Sequence, residues 1–166
     1  ELLESLGARF ELSTKPYWIT DDIATSGEEE QTTDYETIPE RLCVKTENGY
    51  ITDPMTDDLS MYIRTDLGVV VVLGCAHRGI INILRHGAKV MATDDFYMVV
   101  GGTHLFSADE NRLDKTVKAL GEMRLRWIGT SHCTGFEAAA KVYNAFPNKF
   151  FINSTGSVIR FPFEGR

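Results

Sequence analysis

Three of the four histidines in the sequence follow predicted strands at matching positions. His77 comes after Val-Val-Leu-Gly-Cys-Ala, His104 after Val-Val-Gly-Gly-Thr, and His132 after Trp-Ile-Gly-Thr-Ser. In an open α/β sheet the loops after the strands converge at one edge, and ligands bind at that edge. Because imidazole is the commonest metal ligand, three such histidines predict a shared polar site that suits a divalent metal, above all zinc.

The cysteines beside these histidines leave more than one interpretation open. In an extended backbone the side chains of Cys75 and His77 point to the same face, so the geometry allows them to bind a metal jointly. A Cys–His nucleophile would also need an orienting carboxylate and oxyanion donors, which the sequence does not reveal. Burial as a small hydrophobe is the commoner role, and we favour it for Cys75, Cys133 and Cys43.

Other polar residues are expected in solvent. The fourth histidine, His86, lies inside a predicted helix and is interpreted as a surface residue. Asp57 and Asp58 precede a strand and could reach a site, but solvated loop acids are the favoured interpretation. The acidic segment Ser26–Glu40 contains three consecutive glutamates and is predicted to be an exposed loop with a solvated charged face.

The elements that must position the three histidines alternate between strand and helix. The β-branched run Val69–Leu73 predicts a strand buried on both faces, followed by a helix near Gly79–Lys89. The same order is predicted twice more, and capping-box patterns at Ser107–Glu110 and Thr134–Glu137 mark the two helix starts. The predicted elements are the strand Phe96–Val100, a helix beginning near Ser107, the strand Leu125–Gly129 and an alanine-rich helix that ends near Phe146.

The first half of the sequence is predicted to be rich in antiparallel strands. A hairpin is predicted from Arg41–Thr46 and Tyr50–Thr52, because the intervening Asn-Gly tolerates positive φ. The remaining predicted strands are Ala8–Thr14, a short one within Tyr17–Ile23, Ser60–Thr65, Lys149–Asn153 and Ser157–Phe161. Together the two halves predict an α/β fold with a mixed sheet.

Composition narrows the class of protein. The chain has 166 residues, 43% hydrophobic and 25% charged, which fits one globular domain with a sizeable core. Its net charge of −7 without a basic cluster argues against nucleic-acid binding. No apolar segment approaches the roughly 20 residues of a membrane helix, and no signal-peptide pattern opens the sequence. Three cysteines without close pairs indicate a reducing compartment, so a cytoplasmic location is expected.

Three stretches around the histidines resemble successive motifs of the metallo-β-lactamase superfamily. They are Gly74-Cys75-Ala76-His77-Arg78-Gly79-Ile80-Ile81-Asn82, Gly101-Gly102-Thr103-His104-Leu105 and His132-Cys133-Thr134-Gly135-Phe136. More narrowly, they resemble its branch of 7,8-dihydropterin-6-methyl-4-(β-D-ribofuranosyl)aminobenzene-5′-phosphate synthase-like proteins. Thr25-Ser26-Gly27-Glu28 and Asp57-Asp58-Leu59 also have counterparts in that branch, so the match runs in order through nearly the whole chain.

The resemblance implies one half of an αβ/βα sandwich, with a mixed β-sheet, helices on one side and a metal site at the sheet edge. It implies that His77 and His132 are metal ligands. His104 falls near the place of a metal-bridging Asp in many relatives, as a ligand or as a polar group beside the metals. Candidates for contacts with the substrate or the metal ligands are Cys75, Thr103, Cys133 and Thr134. The implied cofactor is zinc or another divalent metal, with two ions in the complete protein.

One signature of the superfamily, His-x-His-x-Asp-His, is absent from the sequence. Because it belongs to the N-terminal half of such proteins, residues 1–166 are expected to form a single domain, the C-terminal portion of the fold. The implied function is that part of a metal-dependent hydrolase- or synthase-like enzyme. Such an enzyme would use metal-activated water on a phosphorylated or ester-type small molecule.

The sequence leaves open whether this chain is itself an enzyme. A two-metal site needs roughly five or six protein ligands, and three histidines predict weak metal binding and no efficient turnover by the chain alone. The missing half, or self-association through an exposed sheet face, is the expected partner. The alternative is a non-catalytic or partner-dependent scaffold module that lacks a complete metal site.

Overall fold

A seven-stranded mixed sheet and a separate two-stranded hairpin make up the strands of the computed structural model, which describes residues 2–165. The strands are β1 (Tyr17–Trp18), β2 (Ile23–Thr25), β3 (Cys43–Thr46), β4 (Gly49–Thr52), β5 (Met61–Thr65), β6 (Gly68–Val72), β7 (Phe96–Gly102), β8 (Leu125–Ser131) and β9 (Phe150–Ile152). The helices are α1 (Leu2–Ser5), α2 (Ile80–Met91), α3 (Glu110–Glu122) and α4 (Phe136–Ala145). Across residues 2–165, no helix combines the length and the apolarity needed to cross a membrane.

The sheet changes from antiparallel to parallel at its centre. Its strand order is β1-β2-β5-β6-β7-β8-β9, and the pairs from β1 to β6 are antiparallel. The pairs from β6 to β9 are parallel, and α2, α3 and α4 connect them. Parallel neighbours need such crossover helices, so the strand–helix alternation of the second half of the sequence produces this part of the sheet. The hairpin β3–β4 forms at the position that was predicted from its Asn-Gly turn.

The helices pack on one face of the sheet. The main core joins sheet residues such as Val71 and Val99 to Leu84 of α2, Leu120 of α3 and Val142 of α4. This arrangement confirms the predicted α/β class with a mixed sheet and helices on one side.

The second face of the sheet is partly covered by the end of the chain. Ile159 and Phe163 pack against a smaller cluster of buried residues that includes Val70 and Met98. The prediction of a strand at Ser157–Phe161 is therefore wrong, because this segment lies across the sheet instead of extending it. The same segment covers part of the sheet face that we expected to be exposed. Self-association through that face stays a prediction.

Three local predictions are corrected by hydrogen bonding. Residues 8–14 form no strand. Helix α3 is capped by Asp109, whose Oδ1 accepts the Arg112 N–H at 2.7 Å, and not by Ser107. Helix α4 follows Gly135 without a side-chain cap. Glycine at that position has a φ of 76°, so the chain can turn directly into the helix.

Residues 26–40, here called the capping loop, are only in part the solvated loop that their charges predicted, because Glu29 and Glu36 are buried. Glu36 is 1% exposed, and its carboxylate accepts the backbone N–H groups of Ile81 and Asn82, both at 2.9 Å. These donors belong to the first turn of α2, where helical N–H groups have no partner within the helix. Gly79 leaves room for this carboxylate, because a Cβ there would lie 2.4 Å from it.

The same loop is fixed along α2 by further contacts. Asn82 Oδ1 accepts the backbone N–H groups of Thr32 and Thr33 at 2.7 and 2.9 Å. His86 is buried rather than at the surface, and its Nε2 lies 3.0 Å from the carbonyl oxygen of Ser26. Since a carbonyl oxygen only accepts, this nitrogen carries the proton. The capping loop is thus part of the fold around α2.

Replacing the capping carboxylate should destabilise the protein. Glu36→Ala leaves two buried N–H groups of α2 without an acceptor, so we expect the free energy of unfolding to fall by about 2–3 kcal/mol. Glu36→Gln keeps one side-chain oxygen and should lose less. Urea unfolding measures both values. Glu40→Ala, at an exposed position of the same loop, is the matched control. An unchanged unfolding midpoint in Glu36→Ala would contradict the capping role.

Candidate metal centre

The loops after β6, β7 and β8 meet at one edge of the sheet. They carry all the candidate site residues predicted from the sequence, namely Cys75, His77, Thr103, His104, His132, Cys133 and Thr134. The rings of His77 and His104 stack with centroids 4.2 Å apart and planes 25° apart. The Cys133 sulfur accepts the backbone N–H of His104 at 3.3 Å and lies 3.4 Å from the carbonyl oxygen of Cys75. The parallel strands therefore bring together residues that are 58 positions apart in the sequence.

Three residues at this edge have left-handed backbones. Ala76, His104 and His132 have φ values of 53°, 48° and 49°. Non-glycine residues adopt this conformation uncommonly and at an energetic cost, so the surrounding contacts must enforce it. Such strain is concentrated at functional sites, where it aims a side chain in a direction that a relaxed backbone does not provide.

Glycine allows the strand ends to approach this closely. A Cβ on Gly102 would lie 2.7 Å from the sulfur of Cys133 and 2.8 Å from the carbonyl oxygen of Gly74. Any other residue would have to push the Cys133 side chain or the loop after β6 away. The Gly-Gly pair at the end of β7 thus makes space for the cluster of side chains.

The stacked histidines have nitrogens without protein partners. Nδ1 of His77 and both ring nitrogens of His104 are buried and accept or donate no hydrogen bond among the described residues. Burial lowers the pKa of His104 to about 4, and the nearby His77, Arg112, Arg41 and His132 add to this decrease. His104 is therefore neutral near pH 7 and offers an imidazole lone pair. A buried, unsatisfied imidazole fits a metal ion, because metal ligation requires the neutral ring.

His132 lies closest to the two thiols. The donor atoms of Cys75, His132 and Cys133 are all within 4.8 Å of one another. Among residues 2–165, no other three His, Cys, Asp or Glu side chains were found with their donor atoms this close together. The edge therefore contains a histidine pair and a Cys-Cys-His group. That His77, His104 and His132 are jointly metal ligands stays a prediction.

The Cys133 thiol is a poor nucleophile, and neither it nor the Cys75 thiol is fully enclosed. Burial raises the pKa of the Cys133 thiol to about 11, and the adjacent Cys75 thiol adds to the increase. A protonated thiol is a poor nucleophile, so the geometry does not favour covalent catalysis by Cys133. Cys75 and Cys133 are both partly exposed, whereas Cys43 lies exposed on β3, where burial was expected.

Thr103 and Thr134 connect two of the loops. The Thr103 hydroxyl donates to the Thr134 Oγ1 at 3.0 Å, and the Thr134 hydroxyl donates to the Ser131 carbonyl at 2.8 Å. Both threonines are buried, at 3% and 2% exposure. They hold the loop after β7 against the 3-10 turn His132–Thr134. Direct contact between these hydroxyls and a substrate stays a prediction.

Asp58 supports the loop that carries His77, a role that the interpretation as a solvated acid missed. Its Oδ2 accepts the backbone N–H of Arg78 at 3.0 Å. The Arg78 guanidinium donates to the Pro54 carbonyl at 2.8 Å and lies 3.6 Å from the Glu28 carboxylate. The sequence signal was the position of Asp58 three residues before β5, the strand that pairs with β6.

Glu29 is a second acid that the sequence did not identify. It belongs to the capping loop and is fully buried, and burial raises its pKa to about 7. The neighbouring Asp58 adds to the increase, while Ser60, Ser26 and Arg78 oppose it. Three consecutive glutamates gave no indication that the middle one faces inward.

Two curated proteins and a solved structure are similar to this chain. No family model matches the chain. It is 35% identical over 164 residues to the 7,8-dihydropterin-6-methyl-4-(β-D-ribofuranosyl)-aminobenzene-5′-phosphate synthase of Methanocaldococcus jannaschii, covering 97% of this chain and 56% of that protein. It is 31% identical over 152 residues to an uncharacterized protein of the same organism, covering 92% and 55%. The chain thus spans about half the length of the curated relatives it matches.

A solved structure shows the same fold. A crystal structure described as a metal-dependent hydrolase of the β-lactamase superfamily superposes with a TM-score of 0.76 at 27% identity. The alignment covers 90% of this chain and 57% of that one. Sequence and fold therefore point to the same group of proteins.

The stability of the protein should fall as the pH rises through the titration of Glu29. The folded state holds this proton up to about pH 7, whereas a free glutamate loses it near 4.5. The folded state thus binds more protons in this range, and the unfolding free energy should fall by about 3 kcal/mol between the two values. Urea unfolding across this pH range measures the slope.

Glu29→Gln should flatten that slope, since the amide cannot ionise. Glu40→Gln, at an exposed position, should keep the wild-type slope. If Glu29→Gln and the wild type lose stability in parallel as the pH rises, Glu29 is not the group responsible.

Proposed function

Because this chain belongs to the metallo-β-lactamase superfamily, we propose that it provides one wall of the metal centre of a metal-dependent enzyme. The observation that carries the proposal is the stacked pair His77 and His104, whose buried ring nitrogens lack hydrogen-bond partners among the described residues. In a low-dielectric environment such nitrogens are costly unless a ligand satisfies them. His132 at the same edge is the third proposed ligand.

The donor chemistry suits zinc or a similar divalent ion, since neutral imidazoles and thiols are ligands that zinc accepts. When bound, such an ion supplies a water of lowered pKa and polarises a phosphoryl or carbonyl oxygen. The residues of this chain would fix the position of that chemistry. His104 stays neutral in its buried setting, and the Thr103–Thr134 contact keeps its loop in place.

The proposed substrate is a phosphorylated or ester-type small molecule. Support comes from the two named matches, one a synthase whose name contains a 5′-phosphate and one a metal-dependent hydrolase. The edge is open on one side, because His132 is exposed while His104 is buried. A small molecule could therefore reach the ions from solvent without displacing the core.

The three histidines are too few for a centre of two ions. Two ions that share a bridging water require roughly five or six protein ligands. We propose that the remaining ligands come from a further segment or a second chain, so that the domain of residues 1–166 acts as a portion of a larger metallo-β-lactamase-type fold. By itself the chain should bind metal weakly and turn over substrate poorly.

Metal analysis tests the proposal directly. In equilibrium dialysis the chain should take up Zn²⁺ weakly but saturably, and His77→Ala or His104→Ala should lower the affinity by at least about tenfold, the loss seen even when a group that only orients a ligand is removed. Equilibrium dialysis followed by elemental analysis measures the bound metal.

The matched control is His86→Gln, which changes a histidine that bonds to Ser26 and not to the edge. Its metal content should equal that of the wild type. A protein that retains no zinc, or one whose retention is indifferent to His77 and His104, would instead be the non-catalytic scaffold module.

A further inference from the structure

Two cysteines and a histidine meet beside the stacked histidines, and we infer that Cys75, His132 and Cys133 form a thiolate-containing site for one zinc-class ion. This inference rests on the proposed function and deepens it, because it identifies additional ligands and the metals that they select. It replaces our first interpretation of both cysteines as small buried hydrophobes.

The separations of the donor atoms are close to those of a metal site. Zn–S and Zn–N bonds of about 2.3 and 2.0 Å in a tetrahedron place neighbouring ligand atoms roughly 3–4 Å apart. The donor atoms of the three side chains all lie within 4.8 Å of one another. Small side-chain rotations, without movement of the strands, would close the remaining gap.

The backbone aims these side chains at a common point. Cys133 is held by the His104 N–H at 3.3 Å, and its sulfur fills the space that a Cβ of Gly102 would occupy. His132 has the left-handed φ of 49°, so its ring leaves the end of β8 in a direction that an extended residue would not give. Adjacent residues of an extended backbone, such as His132 and Cys133, point to opposite faces, and this turn removes that obstacle.

Partial exposure of the group agrees with metal binding better than with hydrophobic packing. Cys75 and Cys133 are each partly exposed, and His132 is exposed, whereas the neighbouring Ala76 is fully buried. A site made of three protein ligands with one open face is the arrangement of catalytic zinc, in which water or substrate takes the fourth position. Structural zinc sites, by contrast, are closed by four protein ligands.

The donor set also predicts metal preference. Two thiolates and one imidazole favour Zn²⁺, Co²⁺ and Cd²⁺ over Mg²⁺, Ca²⁺ and Mn²⁺, which prefer oxygen ligands. The unsatisfied imidazoles of His77 and His104 lie next to this group, since His104 donates its backbone N–H to Cys133. The two sets of donors could therefore serve neighbouring ions at one edge.

Cobalt binding followed by optical absorption tests the inference. Reduced protein titrated anaerobically with Co²⁺ should develop thiolate-to-cobalt charge-transfer absorption that saturates at one ion per chain. The double variant Cys75→Ser/Cys133→Ser should lack this absorption and bind Co²⁺ at least about tenfold more weakly. Cys43→Ser, which changes the exposed cysteine of β3, is the matched control and should behave as the wild type.

The outcomes separate this inference from the proposed function. Co²⁺ bound without charge-transfer absorption, with an affinity that depends on His77 or His104, would overturn the thiolate site and leave the histidine site standing. Charge-transfer absorption that persists unchanged in His77→Ala and His104→Ala supports a thiolate site that does not depend on the histidine pair, whose own metal binding the zinc dialysis measures. Absence of any Co²⁺ binding by wild-type protein with a normal circular dichroism spectrum overturns both.

Discussion

The contact between the Glu36 carboxylate and the start of α2 connects the two halves of this chain. The carboxylate lies 45 residues away in sequence from the Ile81 N–H that it binds, and it is almost completely buried. Burial raises the pKa of Glu36, while its hydrogen bonds with Ile81 and Asn82 oppose that increase. Helix α2 begins three residues after His77, so this tertiary cap fixes the direction in which the loop after β6 leaves the sheet.

The candidate metal centre, like the cap of α2, depends on glycines that leave room for neighbouring side chains. Glycines stand where the capping carboxylate and the Cys133 sulfur require room, at Gly79 and Gly102. Left-handed residues then turn His104 and His132 away from the strand directions. Polar atoms that are costly to bury lie close together there, and the imidazole nitrogens without partners among residues 2–165 are the ones that we propose bind a metal ion.

Much of this could be predicted from the sequence because it follows from short-range patterns. The valine run of β6 and the Asn-Gly of the β3–β4 hairpin each determine local structure, and the common position of three histidines after strands indicated their convergence. Predictions failed where a tertiary partner decides the environment. Glu29 and His86 look solvated in sequence, yet the packing of the capping loop on α2 buries both. The His132 turn, which brings the thiols into its reach, likewise has no signature in composition or periodicity.

We propose above that one edge of this sheet binds metal ions. Crystals of the protein equilibrated with Zn²⁺ and measured on both sides of the zinc absorption edge would locate the ions without reference to activity. We expect an anomalous difference peak at the edge formed by His77, His104, His132 and the two adjacent cysteines. A map with no peak there, or with zinc only on surface carboxylates elsewhere, would contradict it.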